Sequence, residues 1–212
     1  MKITKLGHSC FIAEPKEGIR VLTDPGAFSP RAVEAENISA IVLTHEHQDH
    51  THIETLKKVL IKNPNAVILT NTAVGKILDQ AGITYTKLEE GQKYDLKGVS
   101  IQAFGNTHAE IYPTLGPFQN TGYMIDGLCH PGDALEIPNS KVDIIALPII
   151  GPWMKIKDAV DYAKKLKPRT VFPVHDATIH DWATFVSDTT KKLLQEAGIE
   201  LKKLELGKEE KF

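Results

Sequence analysis

The sequence predicts a layered α/β sandwich, with sheets inside and helices outside, and three observations carry that expectation. Apolar runs of strand length alternate with stripes of helical period along most of the chain. The strands fall into two strand-rich halves, each flanked by helices. No Pro- or Ser-rich linker, low-complexity tract or repeat period interrupts the 212 residues, so one unit spanning 1–212 is expected.

Taken in order, residues 2–6, 10–13 and 19–23 read as three short strands separated by turn signals at Gly7 and at Pro15 to Gly18, which suggests an antiparallel meander. Residues 40–44 form an apolar run too short for a helix and bounded by polar loops, as expected of a strand buried on both faces. Ile53, Leu56, Leu60 and Ile61 then recur at helical spacing, and a strand restarts at 66–69 beyond Pro64, giving a βαβ-like unit. Val74, Ile77 and Leu78 mark a short helix ending at Gly82, and strands are expected at 84–88, 99–104 and 122–126. After a further strand at 142–147, Ile156, Ala159, Val160, Ala163 and Leu166 keep an apolar stripe that stops before Pro168. A strand at 170–174 precedes the last helix, which is expected to place Trp182, Phe185, Val186, Thr189, Leu193 and Ala197 on one face, with Gly198 just past its end.

Composition narrows the function classes. Lys and Arg number 25 against 27 Asp and Glu, a formal charge of −2, so no field advertises nucleic acid or an anionic membrane as a bulk partner. No apolar run approaches the roughly 18–20 residues of a membrane span, and the start MKITKLGHSC lacks the features of a signal peptide. A cytoplasmic protein is the expectation. Cys10 and Cys129 belong to no Cys-x-x-Cys pair or thiolate zinc pattern, which excludes a disulfide scaffold.

The unusual count is histidine. Nine are present, and His45, His47, His50 and His52 fall within eight positions. His45-Glu46-His47-Gln48-Asp49-His50 puts three imidazoles and a carboxylate directly after a buried strand, and these N and O donors suit Zn²⁺. If Thr44 ends the strand, His45 and His47 project to one side while Asp49 and His50 face a second position. A single loop histidine is usually just solvated, but packing four together gains little without a metal.

This His-x-His-x-Asp-His sequence after a buried strand resembles the metallo-β-lactamase superfamily, whose fold is a four-layer αββα sandwich. The opening Lys5-Leu6-Gly7-His8-Ser9-Cys10-Phe11 and Thr23-Asp24-Pro25-Gly26 look like the branch that contains ascorbate-6-phosphate lactonase-like and UPF0173-like metal-dependent hydrolases. On that resemblance His45 and His47 match two ligands of a first metal, and Asp49 and His50 two of a second. His108, in Gly105-Asn106-Thr107-His108, matches the third histidine of the first metal, Asp133, in His130-Pro131-Gly132-Asp133, the bridging carboxylate, and His175, in Pro173-Val174-His175, the last ligand of the second. His8 and Asp24 are expected to support ligands, His52 to sit at a helix start, and His130 to be a loop residue beside Asp133.

The resemblance implies two divalent ions, Zn²⁺ foremost with Mn²⁺, Fe²⁺ and Ni²⁺ as alternatives, sharing a water whose pKa falls from 15.7 toward about 7. Asp49 is then placed to take up and return a proton, and Asp133 to bridge the ions. Hydrolysis of a small lactone, ester or phosphoester is the implied activity, and a small molecule the implied partner; homo-oligomers are compatible with it. A phosphodiesterase acting on nucleotides or nucleic acid, and a non-catalytic metal- or ligand-binding protein, stand as alternatives. The chain has no room for the inserted domain of the RNA-cutting members or the helical domain of glyoxalase II-like thioesterases. Lys155, Lys157, Lys164, Lys165, Lys167 and Arg169 read as the solvated face of a helix, and Trp153 and Tyr112 as candidate pocket walls.

Overall fold

The computed structural model describes residues 1–180 and 182–212. The first half of the chain builds β1 (Lys2–Lys5), β2 (Phe11–Lys16), β3 (Ile19–Thr23), β4 (Ala40–Leu43), α1 (Ile53–Lys62), β5 (Val67–Thr70), α2 (Thr72–Gln80) and β6 (Thr86–Lys87). The second half builds β7 (Lys93–Leu96), β8 (Val99–Phe104), β9 (Gly122–Ile125), β10 (Leu128–His130), β11 (Ile144–Pro148), α3 (Ile156–Leu166), β12 (Thr170–Val174), α4 (Phe185–Gln195), β13 (Glu200–Leu201) and β14 (Glu209–Lys211). Two seven-stranded sheets result, in the orders β14-β1-β2-β3-β4-β5-β6 and β13-β12-β11-β10-β9-β8-β7. β1, β2 and β3 form the expected meander, and β3, β4, β5 and β6 run parallel, as βαβ connections require.

Strand periodicity explains the four layers. Alternate side chains of a strand point to opposite faces, so Ala40 and Val42 of β4 enter the core between the sheets while Ile41 and Leu43 pack outward with Leu56, Val59 and Leu78 under α1 and α2. In β11 and β12, Ile144, Ala146, Phe172 and Val174 face the same inter-sheet core, while Ile145, Leu147 and Val171 pack against Ala159, Val160 and Leu194 from α3 and α4. Strands apolar on both faces, covered by helices striped on one, give helix-sheet-sheet-helix stacking.

The last helix departs from its expected face. It buries Val186, Thr190 and Leu194 and leaves Phe185 67% and Trp182 85% exposed. Trp182 precedes the helix and does not share its spiral, so a phase read from it is shifted by one position. β7, β10, β13 and β14 carry no apolar run that would announce them. β14, exposed throughout, is recruited by pairing of Glu209, Glu210 and Lys211 with β1. The lysine-rich face of α3 is exposed, as expected.

Candidate metal centre

β10, β11 and β12 are parallel, and β8 and β10 both run antiparallel to β9, so these four strands deliver their C-terminal ends to one edge. β3 and β4 do the same in the other sheet. Asp24 follows β3, the His45–His50 loop follows β4, His108 follows β8, Asp133 follows β10 and His175 follows β12. Close backbone contact holds these loops together. A Cβ on Gly26 would lie 1.8 Å from the Asp49 carbonyl oxygen, so glycine alone lets the turn after β3 pass beneath the histidine loop. Asn120 Oδ1 accepts the Asp133 backbone N–H at 3.0 Å and its amide donates to the Pro131 carbonyl at 2.9 Å, fixing the loop that presents Asp133.

The candidate ligands converge. Donor atoms of His45, His47 and His108 lie within 4.8 Å of one another, as do those of His8, Asp49, His50 and His175, and those of His45, His50 and Asp133. Asp133 stands between the first two groups: Oδ1 is 3.1 Å from His50 Nε2, and Oδ2 is 2.9 Å from His175 Nε2, 3.5 Å from His108 Nε2 and 3.9 Å from His45 Nε2. His52 caps the start of α1 apart from this cluster, with Nδ1 2.9 Å from Thr55 Oγ1.

The opposite ring edges are wired to carboxylate, hydroxyl or carbonyl groups. His50 Nδ1 lies 2.9 Å from Asp24 Oδ2, His108 Nδ1 2.5 Å from the Ala109 carbonyl and His175 Nδ1 2.6 Å from the Ile150 carbonyl. Thr44 spends its hydroxyl proton on Asp24 Oδ2, so at 3.0 Å it accepts from His45 Nδ1. Each ring therefore carries a proton on Nδ1. Their Nε2 atoms, and Asp133 Oδ1, are buried without a well-formed hydrogen bond. Buried nitrogens without a well-formed hydrogen bond, beside buried carboxylates, fit divalent metal binding.

Electrostatics agrees. Burial opposes the charge of Asp133, but His50, His108 and His175 outweigh it and hold the carboxyl well below its usual range. Burial, reinforced by His50, keeps the pKa of His45 far below that of an ordinary histidine, leaving it in the neutral form that ligates. For His50, burial is outweighed by Asp133 and Asp24, which raise its pKa. A cation at this site would compete with a proton for its Nε2.

Residues 2–175 match the model of the β-lactamase superfamily domain. The chain belongs to the β-lactamase superfamily. Among relatives, a protein of Mycobacterium tuberculosis is 35% identical over 185 residues, 84% of this chain and 85% of that one. A UPF0173 metal-dependent hydrolase of Thermoplasma volcanium is 32% identical over 190 residues, 82% of this chain and 83% of that one. The fold is also that of Igni18, a metallo hydrolase from Ignicoccus hospitalis, with a TM-score of 0.77 at 22% identity over 100% of this chain and 98% of that one.

Two residues of this superfamily member have larger parts than their sequence context suggests. His130, expected in a loop, ends β10 fully buried, with Nε2 2.8 Å from Asp24 Oδ2. Its signal is faint: a histidine two positions after Leu128 on a buried strand must face a polar partner. Trp153 donates Nε1–H to Asp133 Oδ2 at 2.9 Å, so this candidate wall residue also orients the carboxylate. Trp153→Phe keeps most of the ring and loses the donor. Losing a partner that orients a ligand typically costs about 10–100-fold in metal affinity or activity, so steady-state kinetics of this variant at saturating metal should show kcat/KM reduced by about that factor.

Proposed function

We propose that this chain is a metal-dependent hydrolase that holds two divalent cations, Zn²⁺ foremost, and cleaves a small lactone or ester, with phosphoesters as the related class. The observation that carries the reading is the convergence of His45, His47, His108, Asp49, His50, His175 and Asp133, with Nε2 of four of these histidines buried and unpartnered. The relatives whose names describe metal-dependent hydrolases support it. His45, His47 and His108 would hold one cation, Asp49, His50 and His175 the other, and Asp133 both. When bound, such a pair supplies Lewis acidity and a water of lowered pKa as nucleophile.

The remaining steps belong to the chain. Asp49, with a side chain 24% exposed, is the accessible carboxylate of the cluster and takes up and returns the proton. Phe118, with its ring 4.6 Å from that of His47, and Trp153, 6.0 Å from His108 and 5.9 Å from His175, flank the cluster and limit water around the reacting group. These flanking groups are aromatic and uncharged, which favours an uncharged carboxyl ester or lactone over an anionic phosphoester. The test is turnover of a simple lactone and of bis(p-nitrophenyl) phosphate by the protein loaded with Zn²⁺ or Mn²⁺. Hydrolysis of the lactone above the phosphodiester is expected; silence on both at full metal loading would replace the hydrolase with a binding protein.

A further inference from the structure

His8 stands where a ligand could stand: its Nε2 is 3.3 Å from Asp49 Oδ2, and it shares a ligand-sized cluster with Asp49, His50 and His175. Its other nitrogen decides what it does. The Ala177 backbone N–H donates to His8 Nδ1 at 3.1 Å. An amide N–H only donates, so Nδ1 carries the lone pair and the proton of the neutral ring sits on Nε2. His50 and His175 are wired in the opposite sense, with Nδ1 facing the Asp24 carboxylate and the Ile150 carbonyl, which only accept.

The ring is also clamped. It is 1% exposed, its centroid is 4.0 Å from that of His175 and 5.6 Å from that of Phe28, and the backbone carbonyl of His8 accepts the His175 N–H at 2.9 Å. One residue thereby ties the turn between β1 and β2 to the loop that follows β12.

We propose that His8 is a positioning residue and not a ligand: its Nε2, buried without a well-formed hydrogen bond and 3.3 Å from Asp49 Oδ2, carries its proton toward that oxygen and keeps it near Nε2 of His50 and of His175, 3.8 and 3.6 Å away. The inference rests on the dinuclear reading of the site for its consequence at the second cation, but the tautomer itself is a property of the metal-free chain. A carboxylate oriented by a fixed donor keeps its ligating geometry, and losing such a partner typically costs 10–100-fold in metal affinity without removing the site.

The experiment is a long-range ¹H–¹⁵N correlation spectrum of the histidine rings, metal-free and zinc-loaded, with His8 assigned by the signal lost in His8→Gln. His8 should show the Nε2–H pattern in both states, while His175 shows Nδ1–H and an Nε2 resonance that shifts with zinc. In zinc titrations His8→Ala should keep the wild-type number of ions at saturation and bind the weaker one 10–100-fold less tightly. His8→Gln, which retains a donor amide, should recover much of that loss, and His175→Ala should lose one ion outright. An Nδ1–H pattern for His8, or loss of one ion in both His8 variants as in His175→Ala, would overturn the proposal. If the wild type binds no zinc, the dinuclear reading fails, and the metal-free spectrum still decides the tautomer.

Discussion

Asp133→Ala is expected to strip both cations from the protein and to reduce hydrolysis to the uncatalysed background. Asp133 is 2% exposed and touches the Nε2 edges of His45, His50, His108 and His175, so it serves both halves of the cluster at once. Without it, four imidazoles face one another around a cavity lacking its central negative charge, and of the candidate ligands Asp49 alone would remain as counter-charge to a divalent ion. Asp133→Asn preserves shape but not charge and should fail nearly as completely. Elemental analysis and turnover measured on the same sample, with circular dichroism to establish folding, test this. A folded Asp133→Ala protein with full metal content would remove Asp133 from the site.

The second large effect is expected at Asp24, through stability. Its carboxylate is fully buried and accepts from the Thr44 backbone N–H at 2.8 Å and the Thr44 hydroxyl at 2.9 Å, and it lies 2.9 Å from His50 Nδ1 and 2.8 Å from His130 Nε2. Removing one partner of a buried charged network costs about 3–5 kcal/mol, a large fraction of the 5–15 kcal/mol that typically separates folded from unfolded chains. Asp24→Ala should therefore lower the unfolding free energy of the metal-free protein by that amount, read as a fall in the urea midpoint with an unchanged m-value.

The pH dependence has a definite sign. Burial works against the charge on Asp24, but His130 and His50 outweigh it and depress the pKa below the usual carboxylate range. The native state thus binds fewer protons than the unfolded chain near the acid end. Asp24 contributes its full stability above the unfolded carboxyl pKa, and that contribution disappears as pH falls through the native value. From the unfolded carboxyl pKa downward, the wild type should lose stability more steeply than Asp24→Ala. A stability difference between the two that stays constant across that acid range would contradict this account.

Much of the site was legible in the sequence because its densest part is local. Six consecutive residues, 45–50, hold four of the seven candidate ligands, and a buried strand before them fixes where they point. His108, Asp133 and His175 are unremarkable alone; the resemblance singled them out, and the parallel ends of β8, β10 and β12 bring them to the cluster. Residues whose role depends on packing between the sheets were less legible. His130 meets Asp24 across 106 positions of sequence, and no local pattern announces such a contact.

The same physics separates the strands that declare themselves in composition from those that do not. β4, β11 and β12 are buried throughout, and their composition declares them. β13 and β14 are held in the sheets by backbone pairing at the edges, which leaves little trace in side-chain chemistry. In the last helix, an aromatic residue just outside the first turn drew the apolar stripe onto the wrong face.

The most direct test of the central claim is the metal content of the folded wild-type chain after exposure to Zn²⁺ and removal of unbound ion. Elemental mass spectrometry should find about two ions per chain, as two-metal hydrolase sites hold, and His108→Ala and His175→Ala should each retain one of them. A well-folded wild type carrying no metal, or single-histidine variants that bind as much as the parent, would mean that these loops converge for some other reason.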